Sequence, residues 1–279
     1  GIKPILGGVI RLNDESHRVT LLAMNNSGWR SLTEIISRGF IEGQQLSIPC
    51  VKKEWVLDQS NDIITLLGMQ SDVGEMLCSG NPQKAEPLLE EWIAKFGNRV
   101  YLALTRTDRP NEESFIQEAV KLAAKYQIGV VAHNDVHFIN AEDFEAHEAR
   151  VCIADGYVLG DSRRPRTYSP EQYFKTSEQM VELFSDLPSA IENTVQIAKR
   201  CNVALQLGKY FLPDYPIPEG HTIDTFFAHL SEEGLEERLA HLYPVEQRDE
   251  DWTNIRKEYD ERLAFEIKII NSMGFPGYF

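Results

Sequence analysis

The feature that most limits the fold is an alternation, met four times in the first two thirds of the chain. A short apolar run is followed by apolar residues at helical spacing. Arg18–Met24 is such a run, closed by the turn cluster Asn25-Asn26-Ser27-Gly28 and followed by Trp29, Leu32, Ile35 and Ile36. Asp62–Leu67 precedes Leu88, Leu89, Trp92, Ile93 and Phe96. Val100–Leu104 precedes Phe115, Ile116, Ala119, Val120 and Ala123, and Ile128–Ala132 precedes a helix from about Ala141 to Ala154. Repeated strand–helix units bury strands beneath helices and imply parallel pairing. The class is α/β, barrel-like or doubly wound.

Beyond Ser169 the pattern becomes helical. Ser169-Pro170-Glu171-Gln172 combines an N-cap serine, a proline at the first helical position and a glutamine at the third, so a helix is expected there. Residues 188–201 predict another. The segment 211–220, with three prolines in ten residues, is the best domain boundary. After it, Trp252, Ile255, Tyr259, Leu263, Ile267 and Ile270 form a long apolar stripe ending before Gly274.

Chemistry concentrates at His133-Asn134-Asp135-Val136-His137. In an extended segment His133, Asp135 and His137 project to one side. They stand at the C-terminal end of a strand, where α/β folds build their sites. Two imidazoles and a carboxylate suit a zinc, manganese or iron centre, and the carboxylate could equally orient an imidazole. Polar residues also gather at strand ends simply because the backbone turns there. Weaker candidates are His147, one turn after Asp143, and the basic knot Arg163, Arg164 and Arg166 around Pro165. There is no P-loop, dinucleotide fingerprint or nucleophile elbow.

Composition sets the outer limits. Apolar residues make up 42% of the 279 and charged residues 25%, an ordinary globular mixture. Net charge is −15, which by itself argues against a nucleic-acid groove, because affinity for phosphate backbones needs clustered Lys and Arg. No run of about 18 apolar residues exists to span a membrane. Cys50, Cys78, Cys152 and Cys201 are far apart and predict reduced thiols in a cytoplasmic protein. The first residues, Gly1–Gly8, look like a loop entering a strand, and the last, Gly274–Phe279, end on aromatic residues. Both ends have the character of cuts in something longer. Exposed apolar surface is then expected at the sheet edge where an earlier strand would pair.

Several stretches together carry a resemblance. Gly1–Gly7, Leu21–Trp29, Asn134–Phe138, Tyr168–Tyr173, Ala198–Asn202, Tyr210–Pro213 and Asn271–Phe279 follow one another as in bacterial DNA polymerase III alpha subunits. They resemble the N-terminal polymerase-and-histidinol-phosphatase (PHP) domain of that family. The resemblance implies a PHP-type distorted (β/α)7 barrel, truncated at its N-terminus, over residues 1–210. A mainly helical connector over 211–279 would then enter the polymerase palm.

The same resemblance implies what the site has lost. The family's early His-x-His and following ligands would lie before Gly1. The family often has a Glu where this chain has Val9, and a His where it has Arg18, with His17 adjacent; a Cys commonly stands where Met69 is. Asp135 and His137 keep the late Asp-x-His pair, with His133 beside them. Valine, arginine and methionine are poor donors for hard cations. The expectation is therefore a vestigial site at Asp135, His137 and His133 with no tightly bound metal, zinc or manganese entering only if the site is active. The Mg²⁺-holding aspartates of the polymerase palm would come after Phe279, so no catalytic group of the polymerase lies in this chain. The resemblance further implies a scaffold that docks the proofreading epsilon subunit and braces the rest of the alpha subunit, with DNA met through the whole protein. The alternative is an active metal-dependent phosphoesterase or 3′–5′ exonuclease.

Overall fold

The structure, a computed structural model, describes residues 2–12, 17–45, 47–209, 211 and 214–279. Tyr210, Leu212 and Pro213 of the expected boundary, Gly1, and residues 13–16 and 46 lie outside the described residues. The chain forms two compact units, residues 1–205 and 206–279.

In chain order the first unit contains β1 (Gly7–Leu12), β2 (His17–Ala23), α1 (Asn26–Ile41), β3 (Gln44–Gln45), β4 (Ile48–Pro49) and α2 (Lys53–Asp58). It continues with β5 (Ile63–Leu67), α3 (Asp72–Cys78), α4 (Pro82–Phe96), β6 (Val100–Thr105), α5 (Glu112–Tyr126) and β7 (Gly129–His133). Three helices close it: α6 (Phe144–Asp155), α7 (Ser177–Leu183) and α8 (Pro188–Arg200). The main sheet has the order β1-β2-β5-β6-β7. β5, β6 and β7 pair in parallel, as the strand–helix repeat requires. β2 pairs antiparallel with both β1 and β5. Parallel pairing therefore fails for the first part of the sheet. Hydrophobic spacing reports which residues are buried and is silent about strand direction.

The central strands are apolar on both faces because both faces are covered. Every residue of β5 and β6 is buried, as expected of parallel strands under helices on either side. One core joins Leu21, Leu32, Leu67, Leu89, Trp92, Leu102 and Phe115; Ile64, Tyr101, Val131, Ile197 and Cys201 pack on the opposite face. Local chemistry starts the helices where the chain turns away from the sheet. The Asn25 side chain accepts from the Ser27 and Gly28 amides, and Ser71 Oγ accepts from the Gly74 amide. Pro188 begins α8 and Thr176 with Gln179 makes a capping box on α7. β1 is an edge strand, and its Val9 is exposed. Among the described residues the main sheet has five strands, an α/β sheet of mixed direction with helices packed on it.

The Ser169 helix does not form. Its capping contacts do: Gln172 Oε1 accepts from the Ser169 amide at 3.0 Å, and Ser169 Oγ from the Glu171 amide at 3.2 Å. The backbone then leaves the helical path to meet the segment after β7. The Gln172 carbonyl accepts from the His137 amide at 2.9 Å, and Tyr173 bridges Phe138. Tertiary pairing outweighs the local signal, and the helix starts eight residues later, at Ser177.

The second unit holds α9 (Ile223–Leu242), capped by Thr222, and α10 (Trp252–Ser272). Leu239 is buried, Tyr243 packs on Trp252, and Arg256 of α10 pairs with Glu236 of α9 and Asp260. No helix among the described residues is long and apolar enough to cross a membrane. Four free cysteines are present; Cys50, Cys152 and Cys201 are buried.

Candidate functional site

A cavity of about 540 Å³ opens where β5, β6 and β7 end. That is the place where connecting loops of α/β folds converge. Val9 from β1, Arg18 from β2, and Met69 from the loop after β5 line it together with His133 and Asp135. Three positions singled out in the sequence by their unsuitable side chains thus share the cavity with Asp135, one of the retained pair, and with His133. His17, next to Arg18, pairs with Glu75; successive strand residues face opposite sides.

The extended placement of His133, Asp135 and His137 holds only in part. β7 ends at His133, and a tight turn follows, with the Val136 amide donating to the Asn134 carbonyl at 2.8 Å. His133 and Asp135 remain on the cavity. His137 lies with its Nε2 3.4 Å from Asp135 Oδ1 and turns its ring toward Tyr168 and His147, at centroid distances of 4.8 and 5.4 Å. Burial pushes the His133 imidazole below its ordinary value; Asp135 opposes this and Arg109 reinforces it. His133 is therefore neutral near pH 7.

Asp135 is already engaged. Its Oδ2 lies 2.9 Å from Arg109 Nη2 and accepts at 2.9 Å from Gln172 Nε2. Arg109 is itself fixed, donating from Nε to Thr107 Oγ1 at 2.9 Å and lying 3.3 Å from Glu112 Oε1. Glu112 is buried and accepts from both the amide and the hydroxyl of Thr107 at 2.6 Å. Among the described residues no group of three or more His, Cys, Asp or Glu side chains is arranged to hold a metal ion.

His147 packs against Tyr168 and Phe138 as well as His137, and its Nε2 is buried without a hydrogen-bond partner. Burial, Arg150 and His137 hold its imidazole below the ordinary range. The basic knot disperses: Arg163 pairs with Asp161, Arg164 with buried Glu148, and Arg166 reaches the cavity. Sequence reasoning missed Arg109, Glu112 and Gln172. For Arg109 the usable signal was the polar run Thr105–Asn111 at the end of a buried strand, the same strand-end rule that found His133; Glu112 and Gln172 lie outside that run.

Residues 1–107, which include β1 to β6, match the family described as PHP domain. Similarity then runs over the whole chain. It is 51% identical to DNA polymerase III subunit alpha of Pseudomonas fluorescens, covering 100% of this chain and 24% of that protein. The values are 46% and 24% for the subunit of Escherichia coli K12, and 43% and 23% for that of Xylella fastidiosa, again over 100% of this chain. The chain is thus similar over its whole length to part of DNA polymerase III alpha subunits, and spans about a quarter of the length of these relatives.

Proposed function

We propose that this chain is the PHP portion of a replicative DNA-directed DNA polymerase and acts there as a scaffold without hydrolytic chemistry of its own. The observation that carries the reading is the cavity wall: Val9, Arg18 and Met69 stand together opposite His133 and Asp135. A methyl-bearing side chain, a guanidinium and a thioether leave too few anionic or imidazole donors for a divalent ion. Two carboxylates line the cavity, Asp108 and Asp135, and Asp135 already engages its Oδ2 with Arg109 and Gln172. Among the described residues the donor set does not fit a metal.

In this reading residues 1–210 form the PHP domain and 211–279 the connector to the palm, whose Mg²⁺-binding groups belong to other parts of the polymerase. The protein works in the cytoplasm, with DNA bound through the whole subunit. This portion, at net charge −15, faces protein. Its partner is the proofreading epsilon subunit, associated with 3′–5′ exonuclease activity. Calorimetric titration of the chain with that subunit tests the docking role. Saturable binding is expected, and absence of binding to both this chain and a full-length alpha subunit contradicts it.

The second reading, a metal-dependent phosphoesterase, draws on neutral His133 beside Asp135 at a cavity large enough for a substrate. Phosphodiester cleavage that depends on zinc or manganese and is lost in Asp135→Asn would establish it instead.

A further inference from the structure

The contacts around Asp135 close into a ring. Thr107 donates twice to Glu112; Arg109 Nε donates to Thr107 Oγ1 and its Nη2 meets Asp135. Gln172 donates to Asp135 and accepts, through Oε1, from the Ser169 amide; Ser169 Oγ donates to the Thr107 carbonyl, where the circuit began. Three separate stretches take part: the loop between β6 and α5, the turn after β7, and the segment around Ser169. Thr107 and Gln172 are fully buried, and Glu112 and Ser169 nearly so.

We propose that this ring is a built-in, metal-independent clasp that fastens the strand-end loops around the cavity, with the Arg109 guanidinium serving as its fixed cation. The inference rests on the reading that the cavity does not hold a metal. Strand-end loops carrying carboxylates repel one another unless a cation joins them, and a planar guanidinium can satisfy two acceptors at once. Arg109 does this here between Glu112 and Asp135. The loop it belongs to also needs restraint, because Asp108 and Asn111 are non-glycine residues at φ of +58° and +68°. Backbone in that left-handed region persists only where its surroundings hold it. Glu112, accepting from four donors on the loop, supplies the hold from one side and Asp135 with Gln172 from the other.

Hydrogen–deuterium exchange on the whole chain, with and without a chelator, tests the clasp. Gln172→Ala removes the contacts to Asp135 and the Ser169 amide, and Glu112→Gln removes the charge that holds Thr107 and Arg109; both leave the guanidinium in place. The clasp predicts that Gln172→Ala, altered on one loop, lowers protection of the Thr107 and Arg109 amides on another by about ten- to hundredfold, with chelator making no difference. Glu112→Gln should in turn loosen the Ser169 amide. Arg109→Lys, which keeps the charge but loses the fork, should give an intermediate loss. If each variant loosens only its own loop, the clasp is wrong while the non-metal reading stands. If chelator alone loosens all three stretches in the unaltered chain, the metal-free reading fails and the clasp fails with it.

Discussion

Arg109 Nη2 lies 2.9 Å from Asp135 Oδ2, across the gap between the loops that follow β6 and β7. The two residues are 26 positions apart in the sequence, and their pairing decides what the cavity can hold. Both side chains keep some solvent exposure, so the pair is weaker than a fully buried one. A double-mutant cycle with Arg109→Ala and Asp135→Ala should give a coupling of about 1 kcal/mol in urea unfolding. Strict additivity of the two single changes would remove the pair from the account.

A second charged cluster ties α2, α3 and α4 together. Lys53 Nζ lies 2.7 Å from Asp72 Oδ2 and 2.6 Å from Glu91 Oε2, and Trp92 Nε1 donates to Asp72 Oδ1 at 3.1 Å. Lys53 and Trp92 are buried. Lys53→Ala leaves Asp72 without its cation and should cost about 3 kcal/mol. Lys53→Met in an Asp72→Asn background should recover a good part of that loss; thermal unfolding of the three variants checks the order.

Gly74 shows why the loop lining the cavity sits where it does. A Cβ there would lie 2.1 Å from the Gly68 carbonyl oxygen and 2.8 Å from the Met69 backbone. Alanine favours a helix over glycine by about 1 kcal/mol, yet here it must push the Gly68–Met69 backbone aside. Gly74→Ala should destabilise by about 1–3 kcal/mol in spite of its better propensity. It should also shift the amide resonances of residues 68–70 in a heteronuclear spectrum, whereas a gain in stability would count against the close approach.

The buried His147 makes stability depend on pH. Its folded pKa is below the unfolded value, so the unfolded chain binds the extra proton first and stability rises with pH across that window. The contribution is complete above about pH 6.5 and is lost as the solution is acidified below it. His147→Phe should keep the ring packing against Tyr168 and Phe138 and flatten the slope of the unfolding midpoint between about pH 7 and pH 5.5. An unchanged slope would place the titration elsewhere.

Much of the first unit was legible because burial writes itself into side chains. Val100–Leu104 and Ile128–Ala132 are apolar runs, and both became strands of the main sheet, β6 inside it and β7 at its end. His133 and Asp135 were found by position at a strand end, and both reached the cavity. The antiparallel pairing of β2 was not legible, since an apolar run is the same whichever way its neighbour points. Ser169-Pro170-Glu171-Gln172 misled for a related reason. Its capping bonds form, but the Gln172 carbonyl meets the His137 amide, 35 residues away in the sequence, and the helix never starts. Arg109, Glu112 and Gln172 carry no local motif, and only the fold brings them to one place.

Whether the cavity has exchanged a metal for a guanidinium is open to one direct measurement. Elemental mass spectrometry on the chain purified without chelator, beside Asp135→Asn, reads it. The account predicts only trace zinc, manganese and iron in both proteins. Metal at one equivalent or more in the unaltered chain, lost in Asp135→Asn, would contradict it.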